Sequence, residues 1–441
     1  MNRMPNPSSA ARIFSAAILL SAAARLHAAE PVPLGAYLLS AKEDEVLKAR
    51  SAEGELAYST YSGLPWIRDL EFRLRNDGFD PEDMRYTLRI KPRGFGEGKA
   101  SRLYNEAEVK RGRDRNRLLF NRALVDRYMF AIDCLMRRSI HALNEELLAV
   151  MEDRIKVLDS RKTTTDFDLA DLIEAEDDLT KLQSQDLEMQ KELAVLEQQI
   201  GLQLPPVAAD GVFPGFDTAG FVDVDAIIAE AERGGYALDT GHVYLDYLKQ
   251  GLALAENRYR LEKAEGRRYL SFLSFSYDVG KRIDEMDRRE DGKDYDLSKA
   301  YIVEAGFHLP FLTTGDQELN RRKEALLSEK EDYRQSRDEL EAIMRKDIKD
   351  IHALVSQYRY LRARETQVDA RASLKKYLQM TGVDPLALLS IKAGELKNRA
   401  KLEEVRYGII RNWIKVLDAT GRLAREPLRN YLAAGRPEIR P

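Results

Sequence analysis

The feature that most constrains this chain is a helical pattern that continues far past the width of a globular domain. It starts near Lys99 and runs to about Leu158, and its later apolar positions, Ile140, Leu143, Leu147, Met151, Ile155 and Leu158, step by three or four residues. That spacing lays one apolar seam along a helix, as packed helices require. At 1.5 Å per residue, about 60 residues give a rod of roughly 90 Å. After the break SRKTTTDFD, helix resumes from about Asp168 to Ile200, with Leu172, Leu179, Leu182, Met189, Leu193, Leu196 and Ile200 in a heptad-like seam. Two long helices joined by a short turn predict an antiparallel coiled-coil hairpin.

The second half of the chain repeats this plan. A rod from about Asp316 to Met380 carries Met344, Ile348, Ile351, Val355, Tyr358 and Leu361 in step, and TGVDP breaks it before a returning helix that ends near Gly421. Trp66 and Tyr269, which open the two strand regions, are about 203 residues apart, and Pro92 and Pro310, which close them, about 218. Asp171 and Leu388, just past the breaks, are about 217 apart, and Gly201 and Gly421 about 220. One insertion in the second hairpin loop explains the jump. The expected organisation is a leader over 1–29 and a first repeat over 30–200, with helix 34–61, strands 66–75 and 84–91, and helices 99–160 and 166–201. A Pro/Gly-rich linker follows over 201–222. The second repeat, 223–421, has helix 223–268, strands 269–279 and 300–310, and helices 314–380 and 384–421, before a C-terminal tail over 422–441.

Each rod follows a pair of strands. In DLEFRLRNDGFDPEDMRYTLRIKP, Asp69 to Pro92, one face carries Leu70, Phe72, Leu74, Tyr86, Leu88 and Ile90. The other carries Asp69, Glu71, Arg73, Arg75, Arg85, Thr87, Arg89 and Lys91. The second pair is LSFLSFSYDVG, where Phe272 opposes Leu273, Phe275, Tyr277 and Val279, and AYIVEAGFHLP, joined by the polar loop KRIDEMDRREDGKDYDLSK. Four strands cannot cover their own edges, nor satisfy their backbone groups alone in a bilayer. Arms of roughly 8–11 residues suit a tilted membrane strand, and the alternation suits a water-filled barrel. Trp66, Tyr86, Tyr269 and Tyr301 lie near strand ends, where interfacial aromatics belong. A half-solvated hairpin on a soluble core alternates in the same way; the two rods and the leader favour the membrane. The first six apolar residues named are then expected to face lipid, and Arg73, Arg75, Arg85, Arg89, Glu304 and His308 to face a lumen.

The leader begins with MNRMPNPSSAAR, basic and free of acids, continues with the apolar IFSAAILLSAAA and ends with RLHAAE. This is the layout of a secretory signal, too short to span a bilayer, with cleavage expected after Ala28 or Ala29. No cysteine near the cut allows lipid attachment, and no later apolar run reaches the length of a membrane helix. Charged residues make up 33% and hydrophobic ones 44%, and a formal charge of −4 gives no basic bias toward nucleic acid. The single cysteine, Cys134, excludes an intrachain disulfide and a multi-thiolate metal site.

In this order and spacing the segments resemble the TolC-type outer-membrane efflux ducts, over nearly all of the mature chain. DFDLADLIEAEDDLTKL is similar to the family's first-repeat turn and YLQMTGVDPLALLSIKAGEL to its second, while GFHLPFLTTGDQELNRRKEAL resembles the exit into the second rod. The resemblance implies a mainly α fold with a small β part, in two internal repeats of a β-hairpin plus a long antiparallel helical hairpin. It also implies a homotrimer, whose twelve-stranded membrane barrel continues as a periplasmic α-helical tunnel. The partners it implies are a periplasmic membrane-fusion adaptor and an inner-membrane transporter of the RND, ABC or MFS type. The role would be a passive conduit in the outer membrane of a Gram-negative bacterium, with a large periplasmic portion and no catalysis. At the tunnel tip, Asp171 matches the family's first-turn aspartate, Asp166 and Asp168 add carboxylates, and Asp384 lies in the second turn. On a threefold axis each becomes a ring of like charge that favours cations; the simpler reading of Asp166 and Asp168 is that they cap the returning helix. Gly382 is kept, but Leu388 and Ile391 stand where some members place a gating aspartate pair, and Thr165 where a glycine is common.

Other chemistry finds little support. RGFGEGKA fails as a phosphate loop, because Arg93 stands at the first glycine and Ala100 at the Ser/Thr. His141, His242, His308 and His352 have no paired metal spacing. No nucleophile elbow occurs, and KRGRDRNR reads as a solvated helix face. No catalytic, cofactor or metal residues are therefore expected. The competing expectation is a soluble periplasmic coiled-coil scaffold or adaptor without a barrel.

Overall fold

A computed structural model describes residues 31–50, 66–76, 84–163, 167–204, 213–290, 300–308, 315–367 and 384–440. The expected leader, the end of helix 34–61, Thr165, Asp166, Pro310, Gly382, and the ends of strand 300–310 and helix 314–380 lie outside the described residues. The strands are β1 (Val32–Pro33), β2 (Ile67–Asn76), β3 (Met84–Pro92), β4 (Phe216–Asp217), β5 (Leu270–Asp278) and β6 (Tyr301–Phe307). The helices are α1 (Leu34–Leu39), α2 (Glu97–Ser160), α3 (Leu169–Gln203), α4 (Val224–Arg233), α5 (Val243–Glu265), α6 (Val279–Glu290), α7 (Gly315–Gln367) and α8 (Pro385–Ala419). Among the described residues no helix is long and apolar enough to cross a membrane.

The chain divides into two units, and both draw on both halves of the sequence. One comprises residues up to Asp44, Phe120–Leu238 and Ile343–Pro441; the other comprises Glu45–Leu119 and Asp239–Ala342. The helices α2 and α7 contribute to both.

The first unit holds the main core. The last stretch of α8, from Val405 to Ala419, is apolar on several sides, so Val405, Tyr407, Ile409, Ile410, Trp413, Ile414 and Leu417 are all buried. They belong to one cluster with Tyr128, Ile132 and Leu135 of α2, Ile200 of α3, Ile351 and Val355 of α7, and Tyr37 and Leu38 of α1. Cys134 lies in this core, where burial pushes its thiol up to about 11 and leaves it unreactive. The parallel pair β1–β4 sets Val32 beside Phe216, whose ring lies 5.1 Å from Tyr37 and 4.8 Å from Phe213. Farther along the hairpin, the expected seam is buried in two smaller clusters. Leu147, Val150 and Met151 meet Ala393 and Leu396, with Leu179 and Leu182 packed against them, and Leu158 meets Leu172 and Ala175.

Four expectations need correction. The helix expected over 34–61 is interrupted: α1 passes into a 3-10 turn, Ser40–Glu43, the backbone is extended at Asp44, and helix resumes over 45–50. The helix expected over 223–268 is interrupted: Gly234 and Gly235 take φ of 68° and 82°, conformations that stop a helix, and α5 restarts after His242. The start of the polar loop after β5 is the helix α6, and Val279 opens it instead of extending the strand. The carboxylate of Asp278 accepts the Lys281 N–H at 3.2 Å, which caps that helix.

The tail is not a tail. Leu423, Leu428 and Leu432 are buried, Tyr431 lies edge-on to Trp413 with centroids 5.8 Å apart, and the Arg436 guanidinium sits 4.9 Å over Trp413. Tyr128 Oη donates to the Arg429 carbonyl at 2.8 Å, and the Val222 N–H donates to the Leu432 carbonyl at 2.8 Å. Trp413→Ala should destabilise the protein by about 3–5 kcal/mol, and removing residues 422–441 by at least as much. Urea unfolding followed by circular dichroism checks both; a dispensable tail would leave the truncated chain at wild-type stability.

Candidate functional site

Two places carry the geometry on which function turns, a sheet in the second unit and a pair of turns in the first. The sheet has the order β2-β3-β5-β6, antiparallel throughout. Its register aligns three rows of side chains across all four strands. They are Leu70, Ile90, Leu273 and Ala305; then Phe72, Leu88, Phe275 and Val303; then Leu74, Tyr86, Tyr277 and Tyr301. Side chains directly opposite across antiparallel strands share a face, so all twelve stand on one side, and every one is apolar or aromatic. This face is not packed against a core: Phe72 is 67% and Val303 64% exposed, with Leu70, Leu74, Leu88 and Phe275 also exposed. Soluble monomers rarely expose a contiguous apolar patch of this kind.

The opposite face is charged. Its rows are Glu71, Arg89, Ser274 and Glu304; Arg73, Thr87, Ser276 and Ile302; and Arg75, Arg85 and Asp278, with Lys91 opposite Asp69. Two ion pairs tie neighbouring strands together, Arg85 to Asp278 at 2.6 Å and Lys91 to Asp69 at 2.8 Å, and a third, Arg73 to Glu71 at 2.6 Å, runs along β2. Thr87 and Ser276 share a hydrogen bond of 2.8 Å. The residues expected on the two faces of the first hairpin, Leu70, Phe72, Leu74, Tyr86, Leu88 and Ile90 against Arg73, Arg75, Arg85 and Arg89, are thus placed on opposite sides. Glu304 stands in the charged rows; His308 lies just past β6, exposed, its N–H donating to the Tyr269 carbonyl at 2.8 Å.

Aromatic rings mark both ends of the apolar face. Tyr86, Tyr277 and Tyr301 form one end row, with Tyr277 and Tyr301 centroids 5.2 Å apart, and exposed Trp66, Tyr269 and Phe307 sit at the other end. Each hairpin carries a β-bulge at the start of its first strand, at Arg68 between Ile67 and Asp69 and at Ser271 between Leu270 and Phe272. Among the described residues, β2 and β6 have no further neighbour and remain open edges.

The turns connect α2 to α3 and lead into α8. Asp168 caps α3 by accepting the Ala170 N–H at 2.8 Å, and Asp171 is exposed in the first turn of that helix. Asp384 caps α8, accepting the Leu386 N–H at 3.1 Å, and also pairs with Arg161 at the end of the α2 rod. That guanidinium, more than the cap, holds the Asp384 carboxyl below its ordinary range. The side chain therefore bridges the two turns. Leu388 and Ile391 are half-buried in α8. Sequence reasoning missed Arg161, because nothing local marks a partner 223 residues away. Among the described residues no group of three metal-ligating side chains converges.

No family model matches the chain, and no curated protein matches it in sequence. Solved structures do match it. The CmeC outer membrane channel of Campylobacter jejuni superposes with a TM-score of 0.60 at 10% identity, over 88% of this chain and 85% of that one. The outer membrane protein VceC of Vibrio cholerae gives 0.62 at 12%, over 88% and 96%. CusC, whose structures concern folding and transmembrane channel formation, gives 0.59 at 13%, over 88% and 92%. The chain has the fold of these outer-membrane channels, the one its resemblance to TolC-type ducts implies.

The Arg161–Asp384 pair gives a signed pH dependence. A carboxyl held low contributes stability above its ordinary value near 4 and loses it as pH falls through the folded value. Asp384→Asn keeps a capping oxygen and removes the charge. It should loosen the start of α8 by about 0.5 kcal/mol at neutral pH, and by nothing in acid or at high salt. Asp384→Ala loses the cap as well, for about 1 kcal/mol more. Amide hydrogen exchange at Leu386 and Ala387 reads both.

Proposed function

We propose that this chain is one third of an outer-membrane export duct. Three copies would close their four-stranded sheets into a twelve-stranded barrel, with β2 of one copy paired to β6 of the next. The long helical hairpins would continue it as a periplasmic tunnel. The observation that carries the proposal is the sheet itself, with twelve apolar residues in register on one exposed face, charge on the other, and two open edges. A face of that kind fits lipid, a charged face fits a water-filled lumen, and closure is the one arrangement that satisfies edge backbone groups within a bilayer. The end rows of Tyr86, Tyr277 and Tyr301, and of Trp66, Tyr269 and Phe307, suit the two interfaces.

A duplicated hairpin accounts for the bulges, which fall two residues after Trp66 and two after Tyr269. The duct acts passively and catalyses nothing. Energy comes from an inner-membrane transporter of the RND, ABC or MFS type, coupled through a periplasmic membrane-fusion adaptor. The protein resides in the outer membrane of a Gram-negative bacterium. The bridge from Arg161 to Asp384 supports a tip whose two turns are tied within each copy. It leaves Asp171 and Asp166 to present charge toward the axis, and Asp168 divides its charge between axis and cap.

Introducing the same side chain at adjacent positions tests the faces. Leu88→Arg puts a cation on the lipid side, at about 2–4 kcal/mol near the midplane, and should abolish the heat-labile trimer in the outer-membrane fraction. Thr87→Arg puts it on the charged side and should leave that trimer in place. A wild-type protein found as a soluble periplasmic monomer would make it a scaffold and end the duct proposal.

A further inference from the structure

The charged face of the sheet includes a cation, Arg89, that forms no ion pair among the described residues. Arg85 is held by Asp278, Lys91 by Asp69, and Glu71, directly across from Arg89, is engaged by Arg73 at 2.6 Å and by Lys91 at 3.8 Å. On the other side of Arg89, Glu304 accepts a hydrogen bond from Ser274 at 3.3 Å. Arg89 itself forms no ion pair among the described residues, and its Nε–H is buried without an acceptor. Its guanidinium lies instead over the ring of Phe272, 3.8 Å from the centroid. Among the described residues Phe272 is the one aromatic on this face, and its ring lies over its cross-strand partner, Gly306. A Cβ there would come within 2.3 Å of the ring. Three adjacent strands thus build one stack, with Gly306 making room, Phe272 as the platform and Arg89 on top.

We propose that this stack is a subsite for aromatic anions passing through the barrel, an inference that rests on the duct proposed above. A guanidinium has two faces, and Phe272 takes one. Its charge, held in no ion pair among the described residues, attracts a carboxylate or sulfonate through charge-assisted hydrogen bonds. The second face accepts an aromatic ring by the same cation–π attraction that holds the first. An aliphatic anion uses the charge alone, and a neutral aromatic the face alone.

Purified trimer in planar bilayers, probed with sodium 2-naphthoate, sodium cyclohexanecarboxylate and neutral naphthalenemethanol, tests this. Naphthoate should block wild-type conductance at roughly three- to tenfold lower concentration than the aliphatic anion, and the neutral probe should be weakest. Arg89→Gln should abolish the preference. Arg89→Lys should keep preference for anions over the neutral probe and narrow the aromatic advantage, because an ammonium attracts a ring but has no plane to stack on it. A conducting wild type with equal block by naphthoate and cyclohexanecarboxylate overturns the subsite while leaving the duct intact, as does an aromatic preference that survives in Arg89→Gln. The wild-type comparison decides even where a variant does not insert. A wild type that forms no channels overturns the duct, and the subsite with it.

Discussion

Everything in the sheet depends on the rule that backbone N–H and C=O groups away from water need partners. Among the described residues β2 and β6 each present one bare row of such groups, on strands of 10 and 7 residues. In water that row would be a pairing hazard, and the twelve apolar side chains beside it would worsen the hazard. Closure with other copies, as proposed above, would remove both problems together. The ion pairs on the opposite side fit the same solution. Arg85–Asp278 and Lys91–Asp69 cross between neighbouring strands and fix register on the charged face.

The helical unit solves a different problem. A long helix hairpin stays straight by burying one seam, and the small clusters around Leu147 and Leu158 do this. The thicker core around Trp413, Tyr128 and Ile410 is where the short elements and the C-terminal segment gather. It anchors the hairpins, while their far turns are joined by capping carboxylates and the Arg161–Asp384 pair. Because that pair is exposed, its contribution is small and sensitive to salt.

Much of the sheet and of the rods was legible because their periods differ so sharply. Alternation by two in Leu70, Phe72 and Leu74, and steps of three or four from Leu143 to Leu158, identify strand and helix without tertiary information. What escaped did so for physical reasons. The Gly234–Gly235 stop was overlooked because apolar spacing resumes beyond it. α6 is so highly charged that it resembles a loop, and its cap comes from Asp278, a strand residue. The C-terminal segment has no periodicity, and its order comes from tertiary contacts to Tyr128 and Trp413. Arg161 and the Arg89–Phe272 stack join residues far apart in sequence, which no local pattern reports.

The central claim is that one face of the β2–β3 hairpin meets lipid and the other water. The native thiol, Cys134, is buried, so single cysteines can be introduced at each position from Asp69 to Arg75 and spin-labelled in reconstituted membranes. Collision with oxygen should rise at 70, 72 and 74, and collision with a water-soluble nickel chelate at 69, 71, 73 and 75. The account requires that period of two, in that phase. A flat profile, or oxygen maxima at the charged positions, would contradict it.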